Sequence, residues 1–182
     1  MKKIALVGAT VALAMAAGSA AAAGGPSSGN FGINVGLTKA TTPMSTPADF
    51  LINGKYFISK DMAVLAGVGL VLADTGAPTN NKYTNVGFQG GFRKYLKTDD
   101  LAPFIGGKLQ YLSTRQGAND VSDFALVVEV GAEYYFGKQF SLEGSVGAGY
   151  ASAEYKQVGG TTSQKATGFG STSFDLSANF YF

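Results

Sequence analysis

Residues 169–182 read FGSTSFDLSANFYF, and the last nine of them decide the fold. Successive side chains of an extended strand point to opposite faces. Phe174, Leu176, Ala178, Phe180 and Phe182 therefore share one side, while Ser173, Asp175, Ser177, Asn179 and Tyr181 share the other. One face is apolar along its whole length, and the other carries hydroxyls, an amide and a carboxylate. Such regular alternation predicts a strand with one dry and one polar face. The fold then depends on which of the two faces turns outward.

The same alternation recurs seven times upstream. Strands are expected at about 30–38, 49–58, 62–72, 85–96, 101–112, 124–136 and 140–150, with the eighth closing the chain. The stretch 124–136 is the most regular, with Phe124, Leu126, Val128, Val130, Ala132 and Tyr134 on one side and Glu129 and Glu133 on the other. The connections alternate in length. Tight turns are expected at 59–61, 98–100 and 137–139, and longer polar loops around Pro43 and Pro47 and at 73–84, 113–123 and 151–168. Strands of roughly 9–13 residues are long enough to cross a bilayer when tilted.

Charge assigns the faces. A Lys or Arg among lipid tails costs roughly 2–4 kcal/mol at mid-depth, and of the positions on the apolar faces only Lys94 is charged. Lys55, Arg93, Lys108, Glu129, Glu133, Glu143 and Asp175 all fall on the opposite faces. The expected architecture is an all-β, eight-stranded, antiparallel up-and-down transmembrane barrel, oily outside and ionic within. A soluble eight-stranded barrel would reverse the two faces. Side chains fill the interior of a barrel this small, so the seven ions are expected to pair as a network that plugs the lumen, because an unpaired buried ion costs several kcal/mol. Strand position sets Lys55, Arg93, Glu133 and Glu143 at one depth and Lys108, Glu129 and Asp175 in a second layer; the alternative arrangement is a narrow water pore lined by solvated charges. Tyr56, Phe57, Tyr95, Tyr134, Tyr135, Phe136, Phe140, Tyr181 and Phe182 gather near the short turns, as an interfacial aromatic girdle would.

The start of the chain bears on its compartment. Lys2 and Lys3 precede an apolar run over 4–17, too short to span a bilayer as a helix, and small residues follow at Ala20, Ala21, Ala22 and Ala23. This pattern predicts a secretory signal over 1–23, then a loose Gly/Pro/Ser linker over 24–29 and a barrel over 30–182. Loss of Lys2 and Lys3 reduces the 14 basic residues to 12, equal to the 12 acidic ones. A formally neutral mature chain offers no basic surface for nucleic acid. Cysteine is absent, so neither disulfides nor thiolate metal sites are possible. Twenty-six glycines suit a tightly curved wall.

With the register set, the chain resembles the small eight-stranded outer-membrane barrels of OmpA and OmpX type. The resemblance rests on the strand-turn-strand unit GKYFISKDMAV at 54–64, the closing Phe180-Tyr181-Phe182, and the whole course from leader to terminal aromatic. It implies export through the Sec pathway to the outer membrane of a Gram-negative bacterium. It also implies assembly by the barrel-assembly machinery through a C-terminal signal at Phe174, Leu176, Phe180 and Phe182, contact with lipid and lipopolysaccharide, and a monomeric state.

Chemistry-bearing motifs are sparse. Outer-membrane enzymes of this architecture rely on histidine, and this chain has none. Glu129 and Glu133, four apart on one strand, stand ~13 Å apart by strand rise, too far for a retaining carboxylate pair. The glycine pairs Gly67/Gly69, Gly147/Gly149 and Gly168/Gly170 lack the third glycine and following helix of a dinucleotide site. No EF-hand loop appears. The expectation is a non-catalytic barrel without cofactor or metal, its lumen plugged by charge. It would contribute to surface integrity or adhesion through extracellular loops at 41–48, 74–83, 115–123 and 152–167, with a host or surface ligand possible there. The alternative is a small pore or transporter for ions or small hydrophobic molecules.

Overall fold

In the computed structural model, which describes residues 25, 27–40, 52–74, 82–117, 119–157 and 163–182, each alternating stretch becomes a strand. They are β1 (Phe31–Ala40), β2 (Ile52–Ser59), β3 (Met62–Asp74), β4 (Lys82–Tyr95), β5 (Leu101–Gln116), β6 (Asn119–Tyr135), β7 (Phe140–Gln157) and β8 (Ser163–Tyr181). Each pairs antiparallel with the next, and β8 returns to β1 through Gly32↔Tyr181 to Ala40↔Ser173. The ladder therefore closes around the barrel, although among the described residues β8 before Ser173 pairs with β7 alone.

Solvation is inverted relative to a soluble protein. Val128, Phe88 and Leu109 point outward with 65%, 52% and 50% of their surface exposed, whereas Lys55, Glu133 and Asn179 are completely buried. The apolar outer surface is a continuous belt, far beyond the scattered apolar residues of ordinary soluble surfaces. Hydrocarbon solvates such a surface and water does not. The terminal stretch follows its alternation: Phe174, Leu176 and Phe182 are exposed, while Asp175, Ser177, Asn179 and Tyr181 are buried.

The wall is uneven in height. β5 to β8 run to 16, 17, 18 and 19 residues, against 8 for β2. The loop expected at 113–123 is instead a hairpin, with Gln116 paired to Asn119 and Gly117 in the left-handed region at φ 59°; glycine adopts that conformation without strain. The loop expected at 151–168 is also largely strand, paired from Ala151↔Gly168 to Lys156↔Ser163. In these upper segments the outward positions are polar, including Ser113, Arg115, Ser122 and Glu154. Hydrophobic alternation therefore ends while backbone pairing continues. β8 carries one irregularity: Gly147 pairs with Ser173 and Ala148 with Ser171, so Thr172 is left out of the ladder. The bulge resets the alternation, and Phe169, opposite Tyr150, projects outward.

The expected signal over 1–23, the loop at 41–48 and most of that at 74–83 lie outside the described residues. Part of the segment expected to be a loose linker is held in place. The Gly29 N–H donates to the Phe57 carbonyl at 2.8 Å, the Asn30 N–H to Ser27 at 3.2 Å, and the Phe57 N–H to Asn30 at 3.0 Å. Gly25 lies against the Thr98 carbonyl in the turn between β4 and β5, where an added Cβ would come within 1.9 Å of the oxygen. The described residues of the segment thus touch both β2 and the β4–β5 turn.

Candidate functional site

Seven ionic side chains meet inside the barrel because their strands present them inward at neighbouring heights. Starting at β6, Glu133 accepts from Lys55 of β2 at 2.9 Å, and Lys55 also reaches Glu143 of β7 at 2.6 Å. Glu143 pairs with Arg93 of β4 at 2.6 Å, and Arg93 with Glu129 of β6 at 2.6 Å. Glu129 pairs with Lys108 of β5 at 2.8 Å, and Lys108 closes on Asp175 of β8. Charge alternates along this path from Glu133 to Asp175. The two separate layers expected from strand position are thus one chain, because Arg93 reaches both Glu143 and Glu129 and not Glu133. Strand tilt shears the depths enough for a long guanidinium to bridge them.

The chain holds four carboxylates and three cations, and neutral donors offset the surplus at Glu133. Tyr95 Oη donates to Glu133 at 2.7 Å and Asn179 Nδ2 at 3.0 Å, joined by the hydroxyls of Tyr181 and Ser141. Charged acceptors strengthen such bonds. The desolvation penalty for each ion is several kcal/mol, repaid only when partners are close and remaining lone pairs are met. Every interior cation here has two carboxylates.

A second network lies alongside, one the sequence reading did not identify. Gln110 Nε2 donates to Gln89 at 3.2 Å, Gln89 Nε2 to Asn53 at 2.6 Å, and Asn53 Nδ2 to Asn34 at 3.4 Å. Asn34 Nδ2 donates to Ser177 and Asn179, both at 2.7 Å, and Asn179 donates onward to Glu133. These amide donors point the same way along the chain, toward Glu133. Their inward phase on strands that also carry Lys55, Arg93 and Lys108 was the available signal. Asn53 and Gln89 meet across β3 because Gly67 stands between them, and a Cβ there would come 1.8 Å from Asn53 Oδ1 and 2.8 Å from Gln89 Cγ. Gly106 serves β5 similarly, where a Cβ would press on Arg93 and Glu129. Between the two networks a cavity of about 20 Å³, the size of a single water molecule, is bordered by Asn34, Asn53, Gln89, Lys108, Asp175 and Ser177.

Below these networks, the expected aromatic girdle divides in two. Tyr56, Tyr134, Phe136 and Phe182 face outward, but Phe57, Tyr95, Tyr135 and Tyr181 turn inward and join Phe104 in a buried cluster. Phe57 stands 5.4 Å from Tyr95 and 6.0 Å from Tyr181, Tyr95 lies 5.6 Å from Phe104, and Tyr135 stacks on Tyr181 at 5.8 Å between ring centroids. Adjacent aromatic residues, such as Tyr134-Tyr135, necessarily face opposite ways, so four of the nine form, with Phe104, an aromatic cork inside the barrel. The Arg93 guanidinium lies 4.2 Å from the Phe104 ring centre and couples cork to charge chain. Outside, Lys94 pairs with Asp61 in the β2–β3 turn, placing its charge at the end of the barrel.

Each of the four carboxylates in this charge chain is engaged by at least one cation. Among the described residues no group of His, Cys, Asp and Glu is placed to hold a metal. Phe174, Leu176, Phe180 and Phe182 line the outer face of β8, the strand that joins both ends of the sheet.

A closed antiparallel barrel of eight strands, apolar outside and ionic within, is the fold of the small outer-membrane β-barrels, and this chain has that fold. Among solved structures it is similar to the outer membrane protein AlkL, determined by solid-state NMR in DMPC lipid bilayers. Identity is 16%, the match covers 92% of this chain and 97% of that one, and the TM-score is 0.60. It is also similar to the outer membrane protein OprG from Pseudomonas aeruginosa, at 10% identity over 87% of this chain and 98% of that one, with a TM-score of 0.56. No protein-family model matches the chain, and no curated protein matches it.

Proposed function

We propose that this chain is a non-catalytic, monomeric barrel of the Gram-negative outer membrane whose lumen is closed to ions and whose working surface is its extracellular end. In this reading residues 1–23 are a leader removed on export through the Sec pathway, and the barrel-assembly machinery recognises the last strand through Phe174, Leu176, Phe180 and Phe182. The three short turns face the periplasm, and the tall β5–β8 wall rises above lipid and lipopolysaccharide to act in surface integrity or adhesion. The unbroken path of buried ion pairs from Glu133 to Asp175, backed by the aromatic cork, carries the proposal. Opening an ion path through it would separate charges that are costly to leave unpaired in a dry interior.

The purified barrel in planar bilayers is expected to show no steady unitary conductance. Large, stable steps from the wild-type protein would overturn the closed-lumen reading and favour the pore. A second reading, carriage of small hydrophobic molecules, draws on Leu112, buried two residues beyond Gln110 on β5, and on Leu65 and Val127, which stand opposite Lys55 and Lys108. It requires a route for the molecule that bypasses the charge chain.

A further inference from the structure

Asp123 differs from the other interior acids. It stands on β6 one residue beyond Phe124, where the outward apolar band of that strand ends and Ser122 and Asp120 follow. Its ladder partners are Leu112 on β5 and Ala153 on β7, both buried, and residues directly opposite in a ladder share a face. The side chain therefore turns into the barrel above the membrane-spanning band. Both carboxyl oxygens are buried, and neither accepts a hydrogen bond.

The described groups that share its face are uncharged. β5 contributes Leu112 and Thr114, β7 contributes Ala153 and, opposite Val121, the phenol of Tyr155, and β4 brings Asn85 to the level of Thr114. Ions close in sequence turn outward and are occupied with each other, Arg115 with Asp120 at 2.8 Å and Lys156 with Glu154 at 3.2 Å. The nearest cation of the lumen chain, Lys108, sits opposite Val127, four residues further down β6. Burial with nothing to oppose it pushes the Asp123 carboxyl up to about 6. A buried carboxylate is retained in ionised form only when it is paired or hydrogen-bonded.

We propose that Asp123 is a proton-operated latch on the extracellular end of the barrel: protonated, it lets the β5–β6 hairpin close against β7 as seen here, and ionised, it draws water into the wall and loosens the hairpin beyond Phe124. The feature is independent of whether the lumen conducts. Closure raises the carboxyl above the ~3.9 of a solvated aspartate, so the penalty on the closed form is absent below about pH 4. It builds as pH rises through 6 and is constant above. One pKa unit is a tenfold change in ratio, so the open-to-closed ratio rises by about 50-fold between pH 4 and pH 7.

Amide hydrogen exchange of the barrel in lipid vesicles, corrected for the intrinsic pH dependence, tests this. Residues 113–123 are expected to lose protection by about 10- to 100-fold between pH 4.5 and pH 7.5, while residues 128–134 of the same strand remain unchanged. Asp123→Asn is expected to hold the hairpin protected at both values. Titration of the Asp123 carboxyl carbon in the wild type by NMR, with a midpoint well above 4, provides the second readout should the variant fail to insert. PH-independent protection of residues 113–123 in the wild type, or a midpoint at or below the ordinary aspartate value, overturns the proposal.

Discussion

Lys55→Met is expected to destabilise the barrel by about 3–5 kcal/mol, the range for breaking a buried ion pair by removing one partner. Lys55 is completely buried and holds Glu133 at 2.9 Å and Glu143 at 2.6 Å. Methionine matches its stem, so packing changes little and the loss is electrostatic. Two carboxylates would lose a shared cation, and Glu133 would keep only neutral donors. Lys55→Met/Glu143→Gln should recover part of the loss, because the second change removes one of the stranded charges; a double-mutant cycle isolates that coupling. Urea-driven unfolding from lipid vesicles measures both. A cost below about 1 kcal/mol for Lys55→Met would show that the ion pair does not hold the interior together.

Val128→Arg is expected to cost about 2–4 kcal/mol in the same assay, the range for a cation at the bilayer midplane on the outside of a barrel. Val128 is 65% exposed near the middle of β6, and its ladder neighbours are Gly107 and Ala148. Neither offers a side chain large enough to shelter a guanidinium from lipid. Ser122→Arg, on the same outward face of the same strand but beyond Phe124, should cost close to nothing, since the penalty falls to about 0–1 kcal/mol near the interfaces. Equal costs at the two positions would contradict the depth assigned to the strand.

The contrast between these positions also explains what was legible in the sequence. Where lipid meets one face and ions occupy the other, alternation is strong. Phe124 to Tyr134 and Phe174 to Phe182 therefore declare both strand and sidedness, and the inward phase of the seven ions followed. Beyond the lipid the outward face is polar, as at Ser113 and Ser122, while the inward face mixes Leu112, Thr114, Val121 and Ala153, and the hydrophobic signal fades while the backbone goes on pairing. Periodicity therefore predicts loops where the hairpins extend. Tilt accounts for the merging of two expected charge layers, since strand position alone does not report the height at which Arg93 crosses to Glu129. The amide chain from Gln110 to Asn179 depends on glycines at 67 and elsewhere that let side chains lie across a neighbouring strand. Periodicity counts such glycines as blanks, although they create the space.

The central claim is the sidedness of the wall, and the chain's lack of tryptophan makes it directly measurable. Phe88 is 52% exposed on the outer face of β4, while Phe104 is 1% exposed on the inner face of β5. Single tryptophans introduced as Phe88→Trp and Phe104→Trp, in vesicles of lipids brominated along their acyl chains, report which face meets hydrocarbon. Strong quenching at position 88 with little at 104 is the expected result. Quenching at 104 with none at 88 would contradict it, and the barrel would have to be turned inside out.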